Sequence, residues 1–387
     1  MSQYGADGFA RHGYDYATIL GHYFAATTLG TVPTAQHVRV LMTTRAQASF
    51  SGASKAGGHG LSPSRRYSAV ASGGSVSVVS SSGRMVGTFA SPLRVTGPGP
   101  LTLYGTAGNG VRDGRYRGAL VLRPAGGQVQ VVNDVALESY VRGVVAAEVP
   151  ASWPIAALES QAVATRTYAI AATVSGQPYT QYSDTRSQSY RGVGAEDPRA
   201  DAAARATAGQ VVEYLGAPVA TFFFSSSGGE TEDVQNVFLG TQPDPWLTAV
   251  ADPYDSLSPD HRWGPITLSL ASVQSRLGGL IKGSFEGIHV TRRGASPRIV
   301  SAQVLGSGGA TTVTGPQLQS RLGLKDTWAY FSTTHAPVVP PTPNAPSGPV
   351  PPEQTVPAAP SGPGGGVSPP TTTTTTTPPS GGGTGAP

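Results

Sequence analysis

Between residues 35 and 135 the chain alternates apolar and polar positions in short runs: HVRVLM, SVSVVS, LRVTG, LTLYG, YRGALVLRP and QVQVVND. A period of two is what a strand with one covered face requires, and the glycine-rich pieces between the runs supply turns. The pattern predicts a β region here, filled in part by Met42 and Met85, with a Ser- and Gly-rich loop over residues 50–63. At Leu137 the period changes. Leu137, Val141 and Val144 recur on one helical face, and Ile155, Leu158, Ala162 and Ala169 mark the face of a second helix. Pro150 ends the first helix, because the residue before a proline is pushed out of helical geometry. Pro154 opens the second, with Ser152 as its cap. Elsewhere the spacing predicts a helix from Tyr16 to Phe24 with Ile19, Leu20, Tyr23 and Phe24 inward, and an alanine-rich helix from Asp197 to Ala208. Val211 to Glu213 reads as a strand, and Val219 to Phe224 as a buried one whose three phenylalanines belong to the core.

One residue breaks the helical pattern. The stripe Leu137, Val141, Val144 continues by one more turn onto Glu148. Apolar surroundings disfavour a carboxylate anion, and so does the carbonyl end of a helix; together they predict a raised pKa and a proton that can be donated near neutrality. The competing reading is a solvated helix-end glutamate, which a shift of the boundary by a few residues would produce. Glu138 and Glu159 are the rival acids, and both are expected to be solvated: Glu138 by its place in a first turn, Glu159 by lying beside the apolar stripe.

Composition narrows the field. In 387 residues, Lys and Arg total 26 against 22 acids, a net charge of +4, and no basic run is interleaved with aromatics, so nucleic acid is not indicated. There is no cysteine, hence no disulfide or thiolate metal site, and no apolar run long enough to span a bilayer. A serine hydrolase is disfavoured by the lack of a G-x-S-x-G elbow. His12 and His22 read as surface or packing residues, and Trp246 and Trp263 as core, with sugar stacking as the less common fate. From Ala336 onward Pro, Gly, Ser and Thr dominate and Glu353 is the only charge, the composition of a disordered, extended tail.

The stretch ESYVRGVVAAEVPASWPIAALESQAVATRTYA resembles the signature of the SpoIID/LytB family, through Tyr140, Val141, Gly143, Val144, Val145, Glu148 and Pro150, then Ala157, Leu158, Gln161, Ala162, Ala164, Arg166, Thr167, Tyr168 and Ala169. TFFFSSSGGETED at 221–233 resembles the strand and polar turn of that family's groove, and DTRSQSY at 184–190 a preceding loop in which some relatives hold zinc with Cys and His. Neither residue is in this loop, so no metal site is predicted, and no cofactor. MSQYGADGFARHGYDYATILGHYF resembles another family block that here stands first, which implies an internal Met1 and an upstream portion with a signal peptide.

The resemblance implies an α+β fold: a SpoIID-like core of helices packed on mixed β structure, a β-rich N-terminal region and a disordered C-terminal tail. It divides the chain into a family segment at 1–30, a β-rich subdomain at 31–130, the core at 131–335 and the tail at 336–387. It implies a lytic transglycosylase of the cell wall, outside the cell, acting on peptidoglycan glycan strands, with Glu148 as catalytic acid. Ser2, Gln3, Tyr4, Gln161, Arg166, Tyr190, Ser227, Gly228, Gly229 and Thr231 would bind substrate. The alternative it carries is a non-catalytic wall-binding protein that stimulates an N-acetylmuramoyl amidase.

Overall fold

Strand Gln128–Ala136 runs without interruption into the helix that bears Glu148, so the β layer and the helical layer share one continuous piece of backbone. The computed structural model describes residues 1–332. The architecture is α+β. Helices α1 (Gln3–Arg11), α2 (Tyr16–Tyr23), α3 (Leu137–Glu148), α4 (Ile155–Ala171) and α5 (Pro198–Ala206) surround the elbow. Two sheets, antiparallel except at one edge, are built almost wholly from the chain ahead of α3. The larger has seven strands, with His37–Arg45, Gln128–Ala136 and Ala119–Ala125 at its centre and Gln181–Tyr182 added in parallel at one edge. The smaller has six, in the order Arg112–Tyr116, Leu101–Thr106, Gln47–Ser51, Tyr67–Ser72, Ser75–Ser80, Met85–Ala90. Inward residues of both sheets, among them Val40, Met42, Phe50, Val78, Leu103, Leu122 and Val131, merge with Leu137, Val141, Val144 and Leu158 of α3 and α4 into one core.

The period-two runs are strands with little change of bounds, because each has one covered and one wet face: His37–Arg45 buries Val38, Val40 and Met42 and exposes His37 and Arg39. The inward face expected of α2 is buried throughout. Four details differ. Met85 is 58% exposed, since its strand lies at the sheet edge. Ile155 is 45% exposed, because the first turn of α4 projects past the core, and the residue before that helix is Pro154, with no side-chain cap from Ser152. Residues 219–224 are extended without joining a sheet; their one bridge is Ser2 to Phe224, in parallel, and Phe224 itself is 39% exposed. Phe222 and Phe223, packed against Tyr168, are half-buried rather than core, and Phe224 is exposed. The tail expected from residue 336 lies outside the described residues. No helix among the described residues is long and apolar enough to cross a membrane.

Candidate functional site

Glu148 is the last residue of α3, and the chain leaves the helix at once, with Val149 in extended geometry ahead of Pro150. Leu137, Val141 and Val144 anchor the helix in the core, while Glu148 is half-buried at its end. The carboxylate does not sit in a purely apolar setting. The backbone N–H of Ser189 donates to its Oε1 at 2.5 Å. Ser189 belongs to the 183–191 loop, held against α3 by the N–H of Arg191 on the carbonyl of Gly143, 3.0 Å. Gly143 is there because nothing larger fits: a Cβ at this position would stand 2.7 Å from the Tyr190 ring.

Beneath this carboxylate lies a buried polar chain. Gln3 Nε2 donates to Gln161 Oε1 at 3.4 Å, and Gln161 Nε2 to Thr165 Oγ1 at 3.2 Å. Gln188 Nε2 lies 3.3 Å from the Thr165 carbonyl and 3.2 Å from the Tyr140 hydroxyl. Burial holds the Tyr140 hydroxyl far above its usual pKa, and the nearby charge of Glu148 adds to this. Tyr140 stacks on Tyr190, ring centres 5.0 Å apart, and the Tyr190 hydroxyl donates to Asn133 Oδ1 at 2.7 Å.

The rival acids have other partners. Glu138 takes two hydrogen bonds from the fully buried Arg166, at 2.8 and 2.7 Å, and one from the Gly209 N–H at 3.1 Å; it is the counter-ion of Arg166 rather than a solvated residue. Glu159 is half-buried on α4, where burial and then the charge of Asp15 raise its pKa.

The serine-glycine turn is built differently. Gly228 and Gly229 have φ of 74° and 112°, a region only glycine enters easily, and the curl aims backbone N–H groups inward. An anion-binding concavity results. The protein fills it with its own Asp255, which accepts from the N–H groups of Ser227 and Gly228, both at 2.9 Å, from Ser226 Oγ at 2.7 Å and from Ser2 Oγ at 2.8 Å, with His261 Nδ1 2.9 Å away. Burial pushes Asp255 up, but the bonds from Ser226, His261, Ser227 and Ser2 outweigh it and hold the carboxyl below its usual pKa. Asp252 binds Ser227 Oγ at 2.7 Å and the Tyr23 hydroxyl at 2.8 Å; there burial prevails and the pKa is raised.

The first turn of α1 is inserted between these two neighbourhoods. Gln3 N–H and Tyr4 N–H donate to the carbonyls of Phe224 and Ser225 at 2.8 and 3.0 Å, and the Tyr4 ring meets Trp153 of the elbow edge-on at 5.1 Å. Gly5 lets the helix approach, since a Cβ there would be 2.0 Å from the Tyr23 hydroxyl. The ten substrate candidates therefore divide. Ser2, Gln161, Arg166, Tyr190 and Ser227 are at most 1% exposed, with their polar groups matched inside. Gln3 and Thr231 are each 7% exposed, and Thr231 Oγ1 is held by the Val250 N–H at 2.8 Å. Tyr4, Gly228 and Gly229 reach the surface in part. Sequence reading missed Asp252, Asp255 and His261; two acids three apart in DPYDSLSPDH were their only signal.

Comparison with known proteins points to one family for part of the chain. Residues 125–214 match the SpoIID family model, described as stage II sporulation protein. Stage II sporulation protein D of Bacillus subtilis (strain 168) is 28% identical over 212 residues, 50% of this chain and 60% of that protein. An uncharacterized protein of Brachyspira hyodysenteriae is 36% identical over 162 residues, 38% of this chain and 44% of its own. The amidase enhancer of B. subtilis is 34% identical over 144 residues, 37% of this chain and 19% of its own. The chain thus spans between a fifth and three fifths of these relatives. The stretch that holds α3, α4 and the loop facing Glu148 is thus the part of the chain that matches the SpoIID family model.

Proposed function

We propose that the protein acts at the cell wall as a lytic transglycosylase that cuts peptidoglycan glycan strands at N-acetylmuramic acid, with Glu148 as the single acid and base. The observation that carries this reading is the half-buried carboxylate at the end of α3, which a main-chain N–H holds by Oε1 while Oε2 has no hydrogen-bond partner among the described residues. A glycosidase of the usual kind needs two carboxylates. Three of the acids named above are not free to be the second: Glu138 is bound to Arg166, and Asp252 and Asp255 are enclosed. One suffices if the sugar's own C6 hydroxyl attacks C1. Glu148 gives its proton to the leaving O4 as the C1–O4 bond breaks, the C1–O6 bond forms, and the C6 hydroxyl proton passes to Glu148. The acid is regenerated and an anhydro sugar results.

Glu148→Gln removes the transferable proton and retains the Ser189 contact. Release of anhydro ends from purified glycan is expected to fall by about 10²–10⁴-fold, the range of general acid catalysis, with the melting temperature unchanged. Equal release by the mutant ends the enzymatic reading.

The similarity to the amidase enhancer favours a second reading, in which the same surface binds glycan without cutting it and stimulates an amidase. Incubation with glycan alone and with glycan plus an N-acetylmuramoyl amidase separates the two, because only the enzyme yields anhydro ends without the amidase.

A further inference from the structure

We propose that the cavity between the turn at residues 108–110 and the 183–191 loop is a subsite for one sugar ring that carries a carboxylate. The turn joins strands Leu101–Thr106 and Arg112–Tyr116, so it lies outside the stretch matched to the family. Between it and the loop is a space of about 300 Å³, at the small end of ligand sites and suited to a single ring.

Its lining is polar and partly unpaired. Ser183 is 1% exposed, yet its Oγ has no hydrogen-bond partner among the described residues. Burying an unmatched hydroxyl is unfavourable, and the hydroxyls of Thr185 and Ser189 also line the cavity. Gly108 lies directly over that oxygen, since a Cβ there would come within 3.1 Å of it. The turn is held in place by Asn109, whose Nδ2 donates to the Tyr190 carbonyl at 2.6 Å and to the Tyr116 hydroxyl at 3.1 Å.

Charge sets the class of ligand. Asp184 lines the cavity but is already paired twice with Arg186, at 2.9 and 2.8 Å. Arg191 also lines it, is exposed, and has no acidic partner among the described residues. Hydroxyl groups beside one uncommitted guanidinium suit an acidic sugar, because a guanidinium grips a carboxylate with paired hydrogen bonds. Ser189 is both a wall of this cavity and the donor to Glu148, so the bound ring would lie next to the carboxylate. The identity of the sugar rests on the function proposed above: in that glycan, N-acetylmuramic acid bears the carboxylate and N-acetylglucosamine does not.

The test titrates the full chain with each of these two monosaccharides, reading calorimetric affinity and backbone amide shifts. The acidic sugar is expected to bind about tenfold more tightly, the worth of one charge-assisted contact. Arg191→Gln should abolish that preference and leave the neutral sugar's affinity unchanged, Arg191→Lys should restore part of it, and the shifts should centre on 108–110 and 183–191. Equal affinities, an acidic sugar indifferent to Arg191→Gln, or shifts centred elsewhere would overturn the subsite. The wild-type protein, assayed for both binding and release, separates the two claims. Preference for the acidic sugar in a protein that releases no anhydro ends upholds the subsite and removes the enzyme; release without preference does the reverse.

Discussion

The end of α3 and the serine-glycine turn each present a carboxylate to a backbone N–H, and they differ in what is left over. Asp255 takes four hydrogen bonds from its surroundings and faces His261 as well, with no exposed surface. Glu148 takes one, is half open, and shares Ser189 with a cavity that the exposed guanidinium of Arg191 also lines. Polar groups that satisfy one another build structure, and polar groups left unmatched beside a space are available to a ligand. The turn that looks like a ligand site in the sequence is thus filled from within. The helix end that looks like a fold boundary is the open one.

This contrast can be broken most decisively at its two acids. Asp255→Ala should strand two N–H groups and two hydroxyls in the interior and cost on the order of 3–5 kcal/mol in urea unfolding. Glu148→Gln should cost almost nothing by the same measurement while suppressing glycan release. A destabilisation under about 1 kcal/mol for Asp255→Ala would erase the distinction. Next in size is Gly143→Ala. The added methyl would press on Tyr190 and on Gly192 Cα, 3.2 Å away, and push the loop from α3. About 1–3 kcal/mol of stability should be lost, together with release, because Ser189 retreats from Glu148. Ser226→Ala removes one of the bonds to Asp255, for about 1 kcal/mol, with release unaffected.

The smallest effect is a slope in acid. Asp255 lies below its ordinary value of 3.8 in the folded protein, so its contribution is complete above that pH and fades as pH falls through the lowered folded value. Asp252 is raised, so its ionisation opposes folding as pH climbs from 3.8 through its folded value. Asp255→Asn should therefore flatten the loss of stability below pH 3.8, and an unchanged slope would deny Asp255 its depressed pKa.

Periodicity made most of the β layer and the helical elbow legible, because each strand and helix there has one face on a common core. Glu148 stood out for the same reason, as the polar residue closing an apolar stripe. The setting of Glu148 was not legible: it depends on Ser189, 41 residues further on, and on a parallel edge strand of two residues. The phenylalanines of 222–224 misled because a run of aromatics carries no period, and here the run joins no sheet that would cover both its faces. Ser2 and Ser227 suggested a sugar site by type, yet their partners, Asp255 and Asp252, lie some 250 and 25 residues away and give no local sign.

That the donor to Glu148 is a peptide group has a genetic consequence. Every amino acid except proline supplies the same N–H, so codon 189 should tolerate nearly all replacements in a saturation library, as far as this contact is concerned. Intolerance should instead collect at the residues that hold that stretch of backbone in place, Gly143, Tyr190 and Asn109. A map of forbidden substitutions would outline the support and pass over the group it supports.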